Sequence, residues 1–169
     1  MDSLTVIDES RLNHVRELKT AVAKLRADNA ALRDENAMLR AHLDMAIAAA
    51  ADLAALPEDG RLVFIDGWNL ILGSPRVAKD REELLAQARS HLAERPQDLV
   101  WIVYDGPRAN CTVEGRLRVS WTGGEGEHRA DRFICDFVRM ARFRGDAAKI
   151  EVRTNDRDFR RELKRLLGR

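Results

Sequence analysis

The spacing of apolar residues changes once along this chain, and that change restricts the fold more than any single motif. Over residues 15–43 leucine returns at every seventh position, at Leu18, Leu25, Leu32 and Leu39, while Val15, Val22, Asn29, Asn36 and Leu43 fill the other apolar place of the same repeat. With the leucines at d and the second set at a, this is the seam of a leucine-zipper coiled coil. Asparagine at a destabilises an apolar seam but bonds to its own copy across a parallel pair, so Asn29 and Asn36 favour a dimer in one register. Asp28 and Glu35 fall at g, with Arg33 and Arg40 at the following e, so each acid faces a base on a parallel partner. A parallel homodimer through residues 15–43 is the expected arrangement. A broader stripe would suit packing onto the chain's own globular part, and a different coiled-coil chain could also serve as partner.

The heptads end in an alanine-rich stretch, and Pro57, Glu58, Asp59 and Gly60 place a break after residue 56. The expected division is a coiled-coil helix over 1–56 and one globular domain over 57–169. Residues 61–66 (RLVFID) and 98–105 (DLVWIVYD) are short β-branched and aromatic runs suited to strands buried on both faces. Residues 117–121 and 149–154 read as two further strands, and helices are expected over 80–93, 130–143 and 157–167. Alternating strands and helices predict an α/β domain, a mostly parallel sheet covered on both sides.

Charge divides along the same line. The first 56 residues carry 7 basic and 9 acidic side chains and the remainder 22 and 19, a basic excess too small to identify a nucleic-acid partner by itself. Cys111 and Cys135 lack both metal-site spacing and the density of a disulfide scaffold. The first residues show no basic and apolar leader, and the stretch from 45 to 56 is too short to span a bilayer. A cytoplasmic protein with reduced thiols and no membrane association is expected.

In open parallel sheets ligands bind beyond the carboxyl ends of the strands, and three of the expected strands end in aspartate. Asp66 closes VFID, Asp105 closes IVYD, and Asp156 follows VRTN. Asp131 stands in the first turn of the helix opened by HRADRF. Neighbouring carboxylates repel one another, and a hard divalent cation relieves that repulsion. With oxygen donors alone, Mg²⁺ or Mn²⁺ is expected rather than Zn²⁺. The chemistry that follows is phosphodiester hydrolysis by metal-activated water.

Four segments, DGWN at 66–69, YDG at 104–106, RADRFI at 129–134 and TND at 154–156, together resemble the motifs of NYN domains of the YacP-like group within the PIN-like nucleases. The resemblance covers about residues 61–167. It implies a three-layer PIN-like fold, divalent-metal-dependent endoribonuclease activity, and Asp66, Asp105, Asp131 and Asp156 as the acidic, metal-holding set. Asn69 matches the family asparagine that orients the first aspartate or a metal water. The chain departs from the family where Trp68 replaces a commoner tyrosine, and where His128 and Arg129 stand in place of an acidic residue, with Glu127 further upstream.

Around this set, Thr154, Asn155, Asp158 and Glu127 are expected to support the ligands, Asp158 alternatively capping the last helix. His128, Arg129, Arg132, Arg157 and Arg108 are expected to hold RNA phosphates or, equally, to pair with the same aspartates. Trp68 and Trp121 suit core packing better than base stacking. Two rivals to an endoribonuclease stay open: a nuclease acting on DNA or on particular structures, and a non-catalytic RNA-binding or scaffold protein.

Overall fold

The computed structural model describes residues 3–73, 78–124 and 126–168, with side chains from residue 9 onward. The chain divides into two compact units, residues 1–37 and 38–169. A single helix, α1 (Ser3–Ala55), supplies all of the first unit's described structure and opens the second. In the first unit Leu12, Val15, Leu18, Val22, Leu25 and Leu32 are all exposed. Asn29 and Asn36 donate from Nδ2 to the carbonyls of Leu25 and Leu32, 3.1 and 2.9 Å away.

The second unit is α/β. Its strands are β1 (Leu62–Asp66), β2 (Leu99–Tyr104), β3 (Ala109–Glu114), β4 (Leu117–Thr122) and β5 (Ile150–Arg153). The sheet order is β3-β4-β2-β1-β5, parallel throughout except for the antiparallel pair β3 and β4. The helices are α2 (Gly67–Gly73), α3 (Arg81–Glu94), α4 (Arg129–Arg144) and α5 (Arg157–Leu167).

The two central strands explain the layering. Every residue of β1 and β2 is buried, and because side chains alternate across a sheet each strand serves two cores. Leu62, Phe64, Leu99, Trp101 and Val103 face α4, α5 and the end of α1. Val63, Ile65, Val100, Ile102 and Tyr104 face α2 and α3. The chain therefore leaves β1 and β5 toward opposite faces of the sheet, which opens a crevice between their carboxyl ends.

Two elements differ from the sequence reading. Residues 109–114 form an edge strand where no element was expected, and its side chains are mostly exposed, so it carries no run of buried residues to announce it. The compact unit begins at Met38 rather than at Pro57. Met45, Ala49, Leu53 and Leu56 are buried in the core layer on the sheet, because alanine lets a helix backbone approach closely without a large apolar stripe. Pro57 ends α1.

A fragment covering residues 38–169 should therefore unfold in one cooperative urea transition, whereas one covering 57–169 loses a wall of its core and should show no cooperative transition. In the full chain, Leu53→Ala should lower the stability of this unit by about 2–5 kcal/mol.

Candidate metal centre

All four aspartates reach the carboxyl edge of the sheet. Asp66 is the last residue of β1, and Asp105 directly follows β2. Asp131 lies in the first turn of α4, and Asp156 is the N-cap of α5. The glycine of the DGWN segment is required by packing, since a Cβ on Gly67 would lie 2.1 Å from the Tyr104 ring. This close approach lets α2 begin immediately after Asp66.

Asp66 is 2% exposed. Its Oδ2 accepts from Asn69 Nδ2 at 2.5 Å and from Thr154 Oγ1 at 2.9 Å, and its Oδ1 accepts from the Asn69 amide at 3.4 Å. Burial pushes this carboxyl up to about 6; the Asn69 and Thr154 bonds pull it down, and the charge of Asp131 adds to the rise. Thr154 also accepts from the Asp156 amide at 3.1 Å, so one hydroxyl joins the ends of β1 and β5. Asn155 donates to the Asn69 carbonyl at 3.4 Å across the same junction.

Asp105 Oδ1 accepts from the Ala130 amide at 2.7 Å and from Thr122 Oγ1 at 3.2 Å. Its carbonyl accepts from Trp68 Nε1 at 2.8 Å. Thr122, buried at the end of β4, was missed in the sequence reading, although a polar residue closing a buried strand is a usable signal. Trp68 meets Tyr104 edge to face and Trp121 stacks on Tyr104, with centroids 5.1 and 5.7 Å apart. Trp121 packs within the core layer, while Trp68 also lines the cleft.

Asp131 links the parts of the site. Burial raises its carboxyl, the His128 ring opposes that, and the charges of Asp156 and Asp105 raise it further. Asp156 shifts the other way because its Oδ1 accepts from the amides of Phe159 and Asp158, at 2.9 and 2.7 Å. His128 Nδ1 lies 3.1 Å from Asp131 Oδ2, and this bond raises the imidazole's affinity for a proton. His128, Asp131 and Asp156 each bring a ligand atom within 4.8 Å of the other two. Imidazole thus stands with two of the four aspartates expected to bind a metal through oxygen alone; among the described residues Asp66 and Asp105 are not part of this close group.

His128 is also the one non-glycine residue with positive φ among the described residues, at φ 60. Such a conformation costs of order 1 kcal/mol and is concentrated at sites where geometry is imposed. It turns the chain into α4 so that the ring sits beside Asp131.

A cleft of about 270 Å³ is lined by Asp66, Asp105, Asp131, Trp68, Asn69 and His128, among others. Three aspartates at one opening, two of them raised above their ordinary range, suit a divalent cation as countercharge.

The remaining candidates are more scattered. Glu127 is 93% exposed, with Oε2 4.0 Å from His128 Nε2, and lies at the rim. Asp158 pairs with Arg161 at 2.6 Å, and the capping role falls to Asp156. Arg129, one of the expected phosphate ligands, instead donates to the Gly106 carbonyl at 3.1 Å, with its Nε and Nη1 buried. Arg132, Arg157 and Arg108 are exposed. Among the described residues no helix is long and apolar enough to cross a membrane. Compared with protein-family models, curated proteins and solved structures, the chain matches none of them.

The raised Asp66 carboxyl has a definite pH signature. Between the ordinary carboxyl value near 4 and about 6, the folded protein holds a proton that the unfolded chain releases. Stability from this group is therefore greatest at low pH and is lost as pH rises through about 6. At ~1.4 kcal/mol per tenfold change in proton affinity, the loss amounts to up to about 3 kcal/mol. In EDTA, urea unfolding between pH 4 and 7.5 should show the wild type losing that much relative to Asp66→Asn; parallel curves would refute the assignment.

Proposed function

We propose that this chain is a divalent-metal-dependent endoribonuclease of PIN-like fold, hydrolysing RNA phosphodiester bonds at the carboxyl edge of its sheet. The observation that carries the reading is the convergence of Asp66, Asp105, Asp131 and Asp156 from separate elements onto that edge. Burial and mutual repulsion hold Asp66 and Asp131 above the ordinary carboxylate range, as is common at functional sites. The four motif segments that resemble NYN domains coincide with these positions.

Asp131, Asp156 and His128 would hold one Mn²⁺ or Mg²⁺, with Asp66 and Asp105 available to the same ion or to a second. The cation, when bound, supplies the positive charge that makes water acidic and offsets charge building on the phosphate. Asn69 and Thr154 hold the Asp66 carboxyl in one orientation, and Ala130 and Thr122 do so for Asp105. Arg132 and Arg157, exposed beside the acids, bind the flanking phosphates that the carboxylates would otherwise repel.

Cleavage of a labelled mixed-sequence RNA should require added metal and fall ~10² or more in Asp66→Asn or Asp131→Asn, the scale of losing one group of a preorganised electrostatic site. Because imidazole favours transition metals over Mg²⁺, Mn²⁺ should act at lower concentration than Mg²⁺, and His128→Ala should narrow that gap. Single-stranded DNA run in parallel separates RNA from DNA as substrate. Intact RNA and DNA with either metal would overturn the nuclease in favour of a binding or scaffold role.

The exposed heptad leucines support a parallel homodimer as the working form, which would bring two sites onto one substrate and raise their effective concentration. Sedimentation should give a dimer for the wild type and a monomer for Leu25→Asp with Leu32→Asp, with cleavage of a short oligonucleotide unchanged. A monomeric wild type would assign the seam to a different chain.

A further inference from the structure

α5 has two unlike sides. Phe159 and Leu163 are buried in the core, with Leu166 and Leu167 packed beside them. Arg157, Arg160, Arg161 and Lys164 recur at helical spacing on the other side. All four are exposed and together line a shallow groove of about 250 Å³.

The helix's own acids leave most of this charge unneutralised. Glu162 turns to Arg139 at 2.8 Å, and Asp158 pairs only with Arg161. Among the described residues no carboxylate lies within ion-pair distance of Arg157, Arg160 or Lys164, although Arg160 is near enough to attract the Asp156 charge. Arg160 is steadied instead by donating to the Asn155 carbonyl at 3.0 Å. Such a row of like charges is self-repulsive without an anionic partner.

Its position identifies the partner. The N-cap of α5 is Asp156, so the basic row starts at the acidic cluster and runs away from it. From Arg157 to Lys164 the helix rises ~10 Å, the reach of two to three successive phosphates of a strand. A membrane surface fits poorly, because an interfacial helix needs its apolar side free and that of α5 is buried.

We infer that this face of α5 is a phosphate track. Arg157, Arg160, Arg161 and Lys164 bind the backbone of a nucleic-acid strand, without metal and without reading bases, and lead it to the carboxylates. The ligand class rests on the nuclease reading, while the test uses binding alone.

Fluorescence anisotropy of a labelled 20-nucleotide mixed-sequence RNA, with the full chain in EDTA, measures the track directly. Replacing Arg160, Arg161 and Lys164 by Gln should weaken binding by ~10-fold or more and reduce the slope of log affinity against log salt by about 2, the share of three phosphate contacts to a single strand. Arg160→Lys with Arg161→Lys should keep most of that slope. Removing three cations elsewhere, at Arg16, Lys24 and Arg89, should leave binding near wild type.

The track is overturned if the Gln variant binds as the wild type does, if the remote variant loses as much, if the wild type binds no RNA, or if it prefers phosphatidylserine vesicles. Binding through α5 without any cleavage would sink the nuclease and keep the track. Metal-dependent cleavage with an unchanged Gln variant would do the reverse.

Discussion

β1 and β2 lie side by side in parallel with both faces of each covered, and the other elements take their places from that pairing. A parallel pair needs a crossover, which α3 provides after α2, and strands buried twice need helices on both sides. Parallel direction also brings the carboxyl ends of β1, β2, β4 and β5 to one edge. Polar residues that close those strands are gathered there with no further device. Asp66, Asp105, Thr122 and Thr154 are neighbours for that reason.

The electrostatics of this edge are uneven. Asp156 accepts two backbone amides at a helix start, so the fold stabilises its charge. Asp66 is buried among neutral donors, and Asp131 meets the charges of Asp156 and Asp105. One carboxylate is thus stabilised in its ionised form by the backbone, while two others hold a proton more tightly than an ordinary carboxyl. His128 shares the position of Asp131 and adds a nitrogen donor.

Much of this was legible in the sequence because the central strands are short, wholly apolar and closed by aspartate. Their alternation between two cores is invisible as a polarity pattern, since both faces are buried, and only the helical spacing between them implies a layer on each side. The edge strand at 109–114 was not legible, because exposed residues such as Asn110, Thr112 and Glu114 resemble a loop. The boundary was read at Pro57, where the helix stops, whereas the core already includes Met45, Ala49 and Leu53. Small residues that pack tightly look like a weak pattern on paper. For His128 residue type leaves phosphate contact and aspartate pairing equally open, and the structure shows the pairing with Asp131, reached through a left-handed backbone that residue type does not reveal.

The hydrogen bonds around Asp66 make its two oxygens chemically unlike. Oδ2 already accepts from Asn69 Nδ2 and from the Thr154 hydroxyl, which itself accepts from the Asp156 amide. Among the described residues Oδ1 meets only the Asn69 amide, at a long 3.4 Å. A proton arriving at this carboxyl therefore settles on Oδ1, the one oxygen with free capacity. A cation held by this carboxyl, as proposed, would meet that same atom, so protonation and ligation would compete for a single position. On the proposed metal reading, the side chain would be a fixed mount with one exchangeable face, from which acid would displace the ion.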